Sequence, residues 1–406
     1  MAAAWAEVAV AVTKKIVGSA QFATDVARAD ANARSAPGIG SITLAALALP
    51  GLMNTAAIAE SAPQEGVIAL KLQAYEDSQP GLDRVRVIAP SLYVLAPIAS
   101  NWSVESTVVY DNISGASPRW HSSISGASRM HDHRTAANAK LTRYFDRVAV
   151  GLGAGISEER DYRSKSLSFD TRLSSPDNNT TWYFGAGLAD DTINPVNELV
   201  VNERKRSHEL MFGVTQAWTA NDLVQLNLGH VRGRGYFSDP YKLADVRPRE
   251  RDQSTLQLRW NHHFTPDNST LRSQYRFYRD SFGINAHSVQ IEWVKPLNDR
   301  FSITPSMRYY TQRAANFYFD PVYDPVIGEP FPVGDPKYFS ADTRLSSFGA
   351  LTVGAKVEWR IDPLWTADAK YERYEQRSGW RLGGGGSPGV TGLRANFVQL
   401  GLSRRF

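Results

Sequence analysis

From Leu351 to Ile361 the chain alternates apolar and polar residues without a break. Leu351, Val353, Ala355, Val357, Trp359 and Ile361 fall on one side of an extended strand, and Thr352, Gly354, Lys356, Glu358 and Arg360 on the other. The same alternation recurs along most of the chain, in far more segments than one sandwich could hold. A soluble sheet would turn its apolar face inward, yet the polar face here carries full charges. The pattern therefore predicts an all-β fold: a transmembrane, antiparallel, up-and-down β-barrel of roughly sixteen strands, apolar toward lipid and polar toward a wet lumen. A closed barrel is one of the two ways a backbone can cross a bilayer with every N–H and C=O paired.

Composition agrees with this and excludes alternatives. Of 406 residues, 42% are hydrophobic, too few for a bundle of membrane helices and sufficient for strands that show lipid only one face. Aromatic residues make up 11%, enough to furnish interface girdles. The chain has no cysteine, which removes disulfides, thiolate metal sites, covalent haem attachment and a lipid-anchored N-terminal cysteine. A formal net charge of +4 is small for this length and gives no footprint for nucleic acid.

Ile42–Leu52 is an apolar run, followed by Ala57-Ile58-Ala59 and then Glu60. That is the apolar core and A-x-A pattern of a secretory signal, although the run lies unusually far from Met1. Residues 1–59 are read as an N-terminal extension and signal peptide, and 60–406 as an outer-membrane β-barrel. N-terminal sequencing of protein purified from membranes is expected to find Glu60 or a close neighbour first. An intact Met1 in that fraction would refute the cleavage.

Strands are expected from Gly66–Tyr75 through Thr135–Phe145 and Val148–Tyr162 to Leu393–Phe406. Short turns rich in Asn, Asp and Pro lie at 99–101, 146–147, 176–179, 219–222, 265–268, 298–300 and 362–363. Longer loops, at 114–134, 190–206, 237–251, 314–347 and 379–392, alternate with them. Short turns on one rim and long loops on the other is outer-membrane topology. Trp102, Trp182, Trp218, Trp260, Trp293, Trp359 and Trp365 fall near strand ends, where an aromatic belt belongs. Back from Phe406, alternate residues are Arg404, Leu402, Leu400 and Val398. An aromatic end with such alternation resembles the signal read by the outer-membrane barrel assembly machinery, with Arg404 departing from it.

Longer motifs carry a second resemblance. They are Asp77-Ser-Gln-Pro-Gly-Leu-Asp-Arg84, Ala89-Pro-Ser-Leu-Tyr-Val-Leu-Ala-Pro97, Tyr110-Asp-Asn-Ile-Ser-Gly-Ala-Ser-Pro118, the segment from His121 to Asp132, and Asp177-Asn-Asn-Thr-Thr-Trp182. Together they resemble the bacterial family called domain of unknown function 3570, over Gly66 to Phe406. The resemblance implies an outer-membrane barrel with no assigned molecular function and no catalytic residue to carry over. Genes of that family often lie near a periplasmic flavin transferase and a thioredoxin-like protein, so the resemblance also implies redox surroundings.

By alternation, Arg259, Arg272, Arg276, Arg308, Lys356, Arg360, Glu358 and Glu372 should line the lumen, as should Arg84, Arg86, Lys140, Arg172, Lys370, Glu105, Asp170, Glu209, Glu292 and Asp368. The excess is basic and would favour anions, or the charges pair into a brace. His121, His131 and His133 with Asp132 are weak candidates for a metal site. The 314–347 loop is long enough to be a lid or a plain surface loop. His208, His230, His262 and His287 raise an outer-membrane lipid hydrolase, but no G-x-S-x-G motif accompanies them, and no enzyme and no cofactor are expected. The expected function is a porin-like conduit in the bacterial outer membrane, with lipid and the assembly machinery as partners. The alternative is a barrel sheath for a periplasmic redox or flavin-linked partner.

Overall fold

The computed structural model describes residues 61–116, 129–242, 245–320 and 332–406. The strands are β1 (Val67–Gln79), β2 (Leu82–Ala99), β3 (Trp102–Ala116), β4 (Arg129–Tyr144), β5 (Val148–Glu158) and β6 (Tyr162–Ser174). They continue with β7 (Thr180–Ile193), β8 (Glu203–Ala217), β9 (Asp222–Gly235), β10 (Asp245–Val246), β11 (Glu250–Phe264) and β12 (Ser269–Asp280). The last are β13 (Asn285–Pro296), β14 (Phe301–Gln312), β15 (Phe339–Ser340), β16 (Phe348–Arg360), β17 (Trp365–Arg377) and β18 (Leu393–Arg405). All but β10 and β15 form one closed antiparallel barrel of sixteen strands in sequence order, and β10 pairs with β15 in a separate two-stranded sheet.

Closure is made by the two ends of the barrel. β1 pairs with β18 from Val67↔Arg405 to Ser78↔Arg394. Gly66 and Phe406 exchange backbone hydrogen bonds of 2.8 and 3.0 Å at the end of that seam. A Cβ on Gly66 would sit 2.4 Å from the tip of the exposed Phe406 ring, so a larger residue there would displace that ring.

Turn chemistry follows from the residues. Asn178 and Asn268 hold left-handed backbone, with φ of 56° and 53°, in the short turns after β6 and β11. On the other rim Pro80-Gly81 joins β1 to β2, with Gly81 at φ 71°, which proline-then-glycine favours in a tight turn.

The facing is inverted relative to a soluble barrel. Leu210, Phe212, Leu228, Leu258, Val289, Ile291, Met307, Val353 and Val357 are all exposed on the outside. Gln73, Glu105, Asp170, Asn227 and Gln257 are buried on the inside. Near the short turns the outer surface carries Trp182, Trp218, Trp260, Trp293 and Trp359, all exposed, with Phe301 stacked on Trp359 at 5.9 Å. At the β17–β18 end Arg404 lies over the Trp365 ring at 5.4 Å, which accommodates the arginine in the terminal alternation.

Three differences from the expected strands have physical causes. The register of β1 against β2 shifts between Glu76 and Ser78. The bulge leaves Arg84 buried but turns Arg86 outward, so Arg86 does not line the lumen. β4 begins at Arg129 rather than Thr135, because its polar first residues pair with β3 up to Ala116↔Arg129. β5 ends at Glu158, and Tyr162 opens β6 instead. The expected leader and residues 117–128, with His121, lie outside the described residues, as does part of the 314–347 loop.

Candidate functional site

The inner wall divides into two unlike sectors. On β3–β8 the bases face acids on neighbouring strands. Arg134 lies 2.8 Å from Asp111, Lys140 lies 3.8 and 3.5 Å from Glu105 and Asp170, and Lys205 lies 3.2 Å from Asp191. Each of these pairs joins strands at most two apart, so the charges run along the wall rather than across the bore.

On β11–β14 the balance is basic. Arg251, Arg259, Arg272, Arg276 and Arg308 lie in the inward rows, against Asp280 and Glu292. Register places Arg259↔Gln274↔Gln290↔Arg308 in one row. One row nearer the short turns are Asn261↔Arg272↔Glu292, and one row nearer the long loops are Gln257↔Arg276↔Ser288. Of the arginines expected to line the lumen, Arg259, Arg272, Arg276 and Arg308 thus come from β11, β12 and β14, with β13 between them supplying Gln290 and Glu292. Arg259 is held by Gln274, Nε donating to Oε1 at 2.9 Å. Further round, Lys356 pairs with Glu358 at 2.8 Å and Lys370 with Glu372. Asp368 accepts from Gln399 at 3.0 Å and lies 3.8 Å from Lys71. Arg360 ends β16 at the short-turn rim and is exposed.

Above the basic rows sits a crown of folded loops that sequence reasoning missed. Residues 236–242 and 245–249 meet residues 313–320 and 332–347 through β10 and β15, with Asp245↔Ser340 and Val246↔Phe339. Phe237, Phe282, Ala315 and Leu345 from the loops pack on Tyr278 and Ala286, which face inward from β12 and β13. The crown therefore rests inside the mouth, against one side of it. Its upper layer is ionic and buried: Asp239, Asp245 and Asp342 against Lys242, Arg247 and Arg344. Asp342 is the hub. It receives Arg247 Nη2 at 2.6 Å, Arg344 Nε at 2.6 Å and Lys242 Nζ at 2.9 Å. Burial alone would raise the Asp342 carboxyl, but Arg344, Lys242 and Arg247 outweigh it and hold it well below the ordinary range. Burial pushes the Lys242 ammonium down in spite of Asp342. The neighbouring loop is tied in by Tyr241, whose hydroxyl donates to Asp161 at 2.7 Å, and by Asn197, which donates to the Pro240 carbonyl at 2.8 Å.

The family described as "Protein of unknown function (DUF3570)" matches residues 121–203 and 197–397. The chain belongs to the DUF3570 family. The match covers β4–β17 of this DUF3570 barrel and the sequence of the crown, while the motifs at Asp77–Arg84 and Ala89–Pro97 lie ahead of it. No curated protein matches the chain. Among solved structures, similarity is found to a "Bacterial polysaccharide outer membrane secretin", at 7% identity and TM-score 0.48 over 84% of this chain and 98% of that one. A Pseudomonas aeruginosa FadL homologue is similar at 11% identity and TM-score 0.42, over 84% and 90% of the two chains. The "CymD monoaromatic hydrocarbon channel" is similar at 8% and 0.42, over 84% and 88%.

The histidines of the DUF3570 chain are scattered. His133 stands on the outside of β4 with its ring stacked on Tyr110 at 6.3 Å. His131 belongs to β4 by its backbone, opposite Ser114. Among the described residues no group of three His, Asp or Glu side chains has metal-binding geometry. His262 Nδ1 lies 2.7 Å from Asp222, which also accepts from Trp260 at 2.8 Å, within the aromatic belt. His230 Nδ1 lies 3.1 Å from the Ser254 hydroxyl. Among the described residues no carboxylate is bonded to that imidazole, so the pair lacks the third group that would orient it as a base.

Proposed function

We propose that this protein is a passive conduit across the bacterial outer membrane, with residues 1–59 as its export leader and a mouth narrowed on one side by the crown. The observation that carries this reading is the facing around a complete circle: apolar and indole side chains outside, paired charges inside. A bilayer satisfies such an exterior, and water satisfies the interior. The basic rows on β11–β14 add fixed positive charge that lowers the barrier for anions, screened over about 8–10 Å at ordinary ionic strength.

Planar-bilayer recording tests both parts. Conductance proportional to salt is expected, with reversal potentials in a salt gradient shifted toward anions. The bias should fall when Arg272 and Arg276 are replaced by glutamine. Cation selectivity in the unaltered protein would refute the basic rows as the selective element. One observation favours a second reading, a sheath without free diffusion. Among the described residues most inward side chains on β1–β9 are buried, with Gln73 and Asp170 at 1% and Asn227 at 0% exposure. A protein that inserts but passes no current would decide for the sheath.

A further inference from the structure

A cavity of about 530 Å³ opens on the outside of the barrel at the long-loop ends of β12, β13 and β14. Arg279 on β12, Asn285 on β13 and Arg313, one residue past β14, line it at the same height, and Arg313 Nη2 donates to Asn316 Oδ1 at 3.5 Å. Asn285 pairs with Arg279, and its carbonyl accepts the Arg313 backbone N–H at 2.9 Å. The two arginines are two strand spacings apart, roughly 10 Å between Cα atoms, so both guanidinium groups can reach one ligand between them. Asn316 and Gly283 close the loop side. Gly283 has φ 94°, and a Cβ there would strike the Asn316 side chain at 2.3 Å. Asp280 also borders the cavity, but its carboxylate is committed to Arg251, Tyr278 and the Ile284 N–H.

The two arginines differ from their counterparts around the rim. Arg163 pairs with Glu158 at 2.9 Å, Arg206 with Asp190 at 3.1 Å and Arg232 with Glu250 at 3.4 Å. Arg279 and Arg313 are exposed, and neither makes an ion pair among the described residues. Their position along the wall is equally specific. Directly beneath lie Phe277 and His287, and His287 Nδ1 lies 2.8 Å from the Tyr275 hydroxyl. Beneath those begins the apolar band, with Val289, Ile291 and Met307 exposed.

We propose that this cavity binds a phosphate group on the headgroup of an anionic outer-leaflet glycolipid. The inference rests on the membrane reading above. Two guanidinium forks match the oxygens of a phosphate better than any neutral headgroup. The aromatic step below them meets the interfacial layer, and the apolar band meets the acyl chains. A free phosphate ion would use only the arginines, whereas a glycolipid uses all three layers.

The test is binding of diphosphoryl lipid A to the full-length, detergent-purified protein by native mass spectrometry, with dephosphorylated lipid A and inorganic phosphate as separate probes. Tight binding of the phosphorylated lipid alone is expected, falling at least about tenfold in Arg279→Gln/Arg313→Gln. The paired control Arg206→Gln should bind as the unaltered protein does. Equal binding of the dephosphorylated lipid, or no loss in the double variant, would overturn the proposal. Inorganic phosphate displacing the lipid at comparable concentration would reassign the site to free anions. Failure of the membrane reading would be seen separately, as failure of the unaltered protein to insert into vesicles, and would overturn this proposal with it.

Discussion

Replacing Asp342 with asparagine is expected to release the crown while the barrel stays closed. The hub carboxylate neutralises Lys242, Arg247 and Arg344 in a buried layer, and its loss leaves an uncompensated excess of positive charge there. Removing one partner of a buried ion pair costs about 3–5 kcal/mol. The barrel ladder makes no use of the hub, so the cost falls on the loops. Hydrogen exchange should rise in 236–242 and 332–347 and stay unchanged in β1–β9. Equal protection in the variant and the parent would show that the apolar layer under the hub holds the crown alone. The sign of the pH effect follows from the depressed carboxyl of Asp342. Its contribution is complete above the unfolded value of about 3.9 and is lost only as pH falls through the lower folded value. Mild acidification should therefore leave this contribution of the parent intact.

Val357→Arg is expected to block refolding into lipid, and Lys356→Ala to permit it. Val357 is exposed on the outside and pairs with Ile303 and Ala369 within the apolar band. Arginine there approaches the penalty of about 2–4 kcal/mol found at a bilayer midplane. Lys356, its neighbour, faces inward, half-buried beside Glu358, and its loss removes one wet pair. The readout is the folded fraction in vesicles by heat-modifiable electrophoretic mobility. Equal behaviour of the two variants would place the two residues on the wrong faces.

The barrel was legible because a strand between lipid and water must alternate, and residues such as Leu256, Leu258 and Trp260 do so without ambiguity. The contrast fades where the outer side is polar too. Arg129 to Arg134 reads as loop for that reason, although its backbone continues β4 beyond the apolar band. Arg86 was misplaced because a one-residue bulge reverses facing without leaving a mark in composition. The inward arginines of β11–β14 followed from alternation, but their spacing did not, since Glu292 on the intervening strand shows only in the register. The crown was invisible. Its strands are two residues long, and its ionic layer joins Asp239 to Arg344 across 105 positions, a separation no periodicity reports. The outer cavity was hidden likewise, because Arg279 and Arg313 are 34 positions apart and become neighbours only through β13.

The seam between β1 and β18 has a bearing on how the molecule is made. Every other junction in the ring joins consecutive barrel strands, and each can form as soon as both have emerged. The seam alone must wait for both extremities, and until they meet the sheet presents two raw edges ready to pair with any stray strand. The entropy of bringing ends together grows only slowly with the length between them, so the wait is a hazard more than a thermodynamic burden. A chain cut short before Leu393 would keep fifteen strands and all their turns and still have no way to stop being a template. β18 is thus the strand that converts an adhesive ribbon into an inert cylinder.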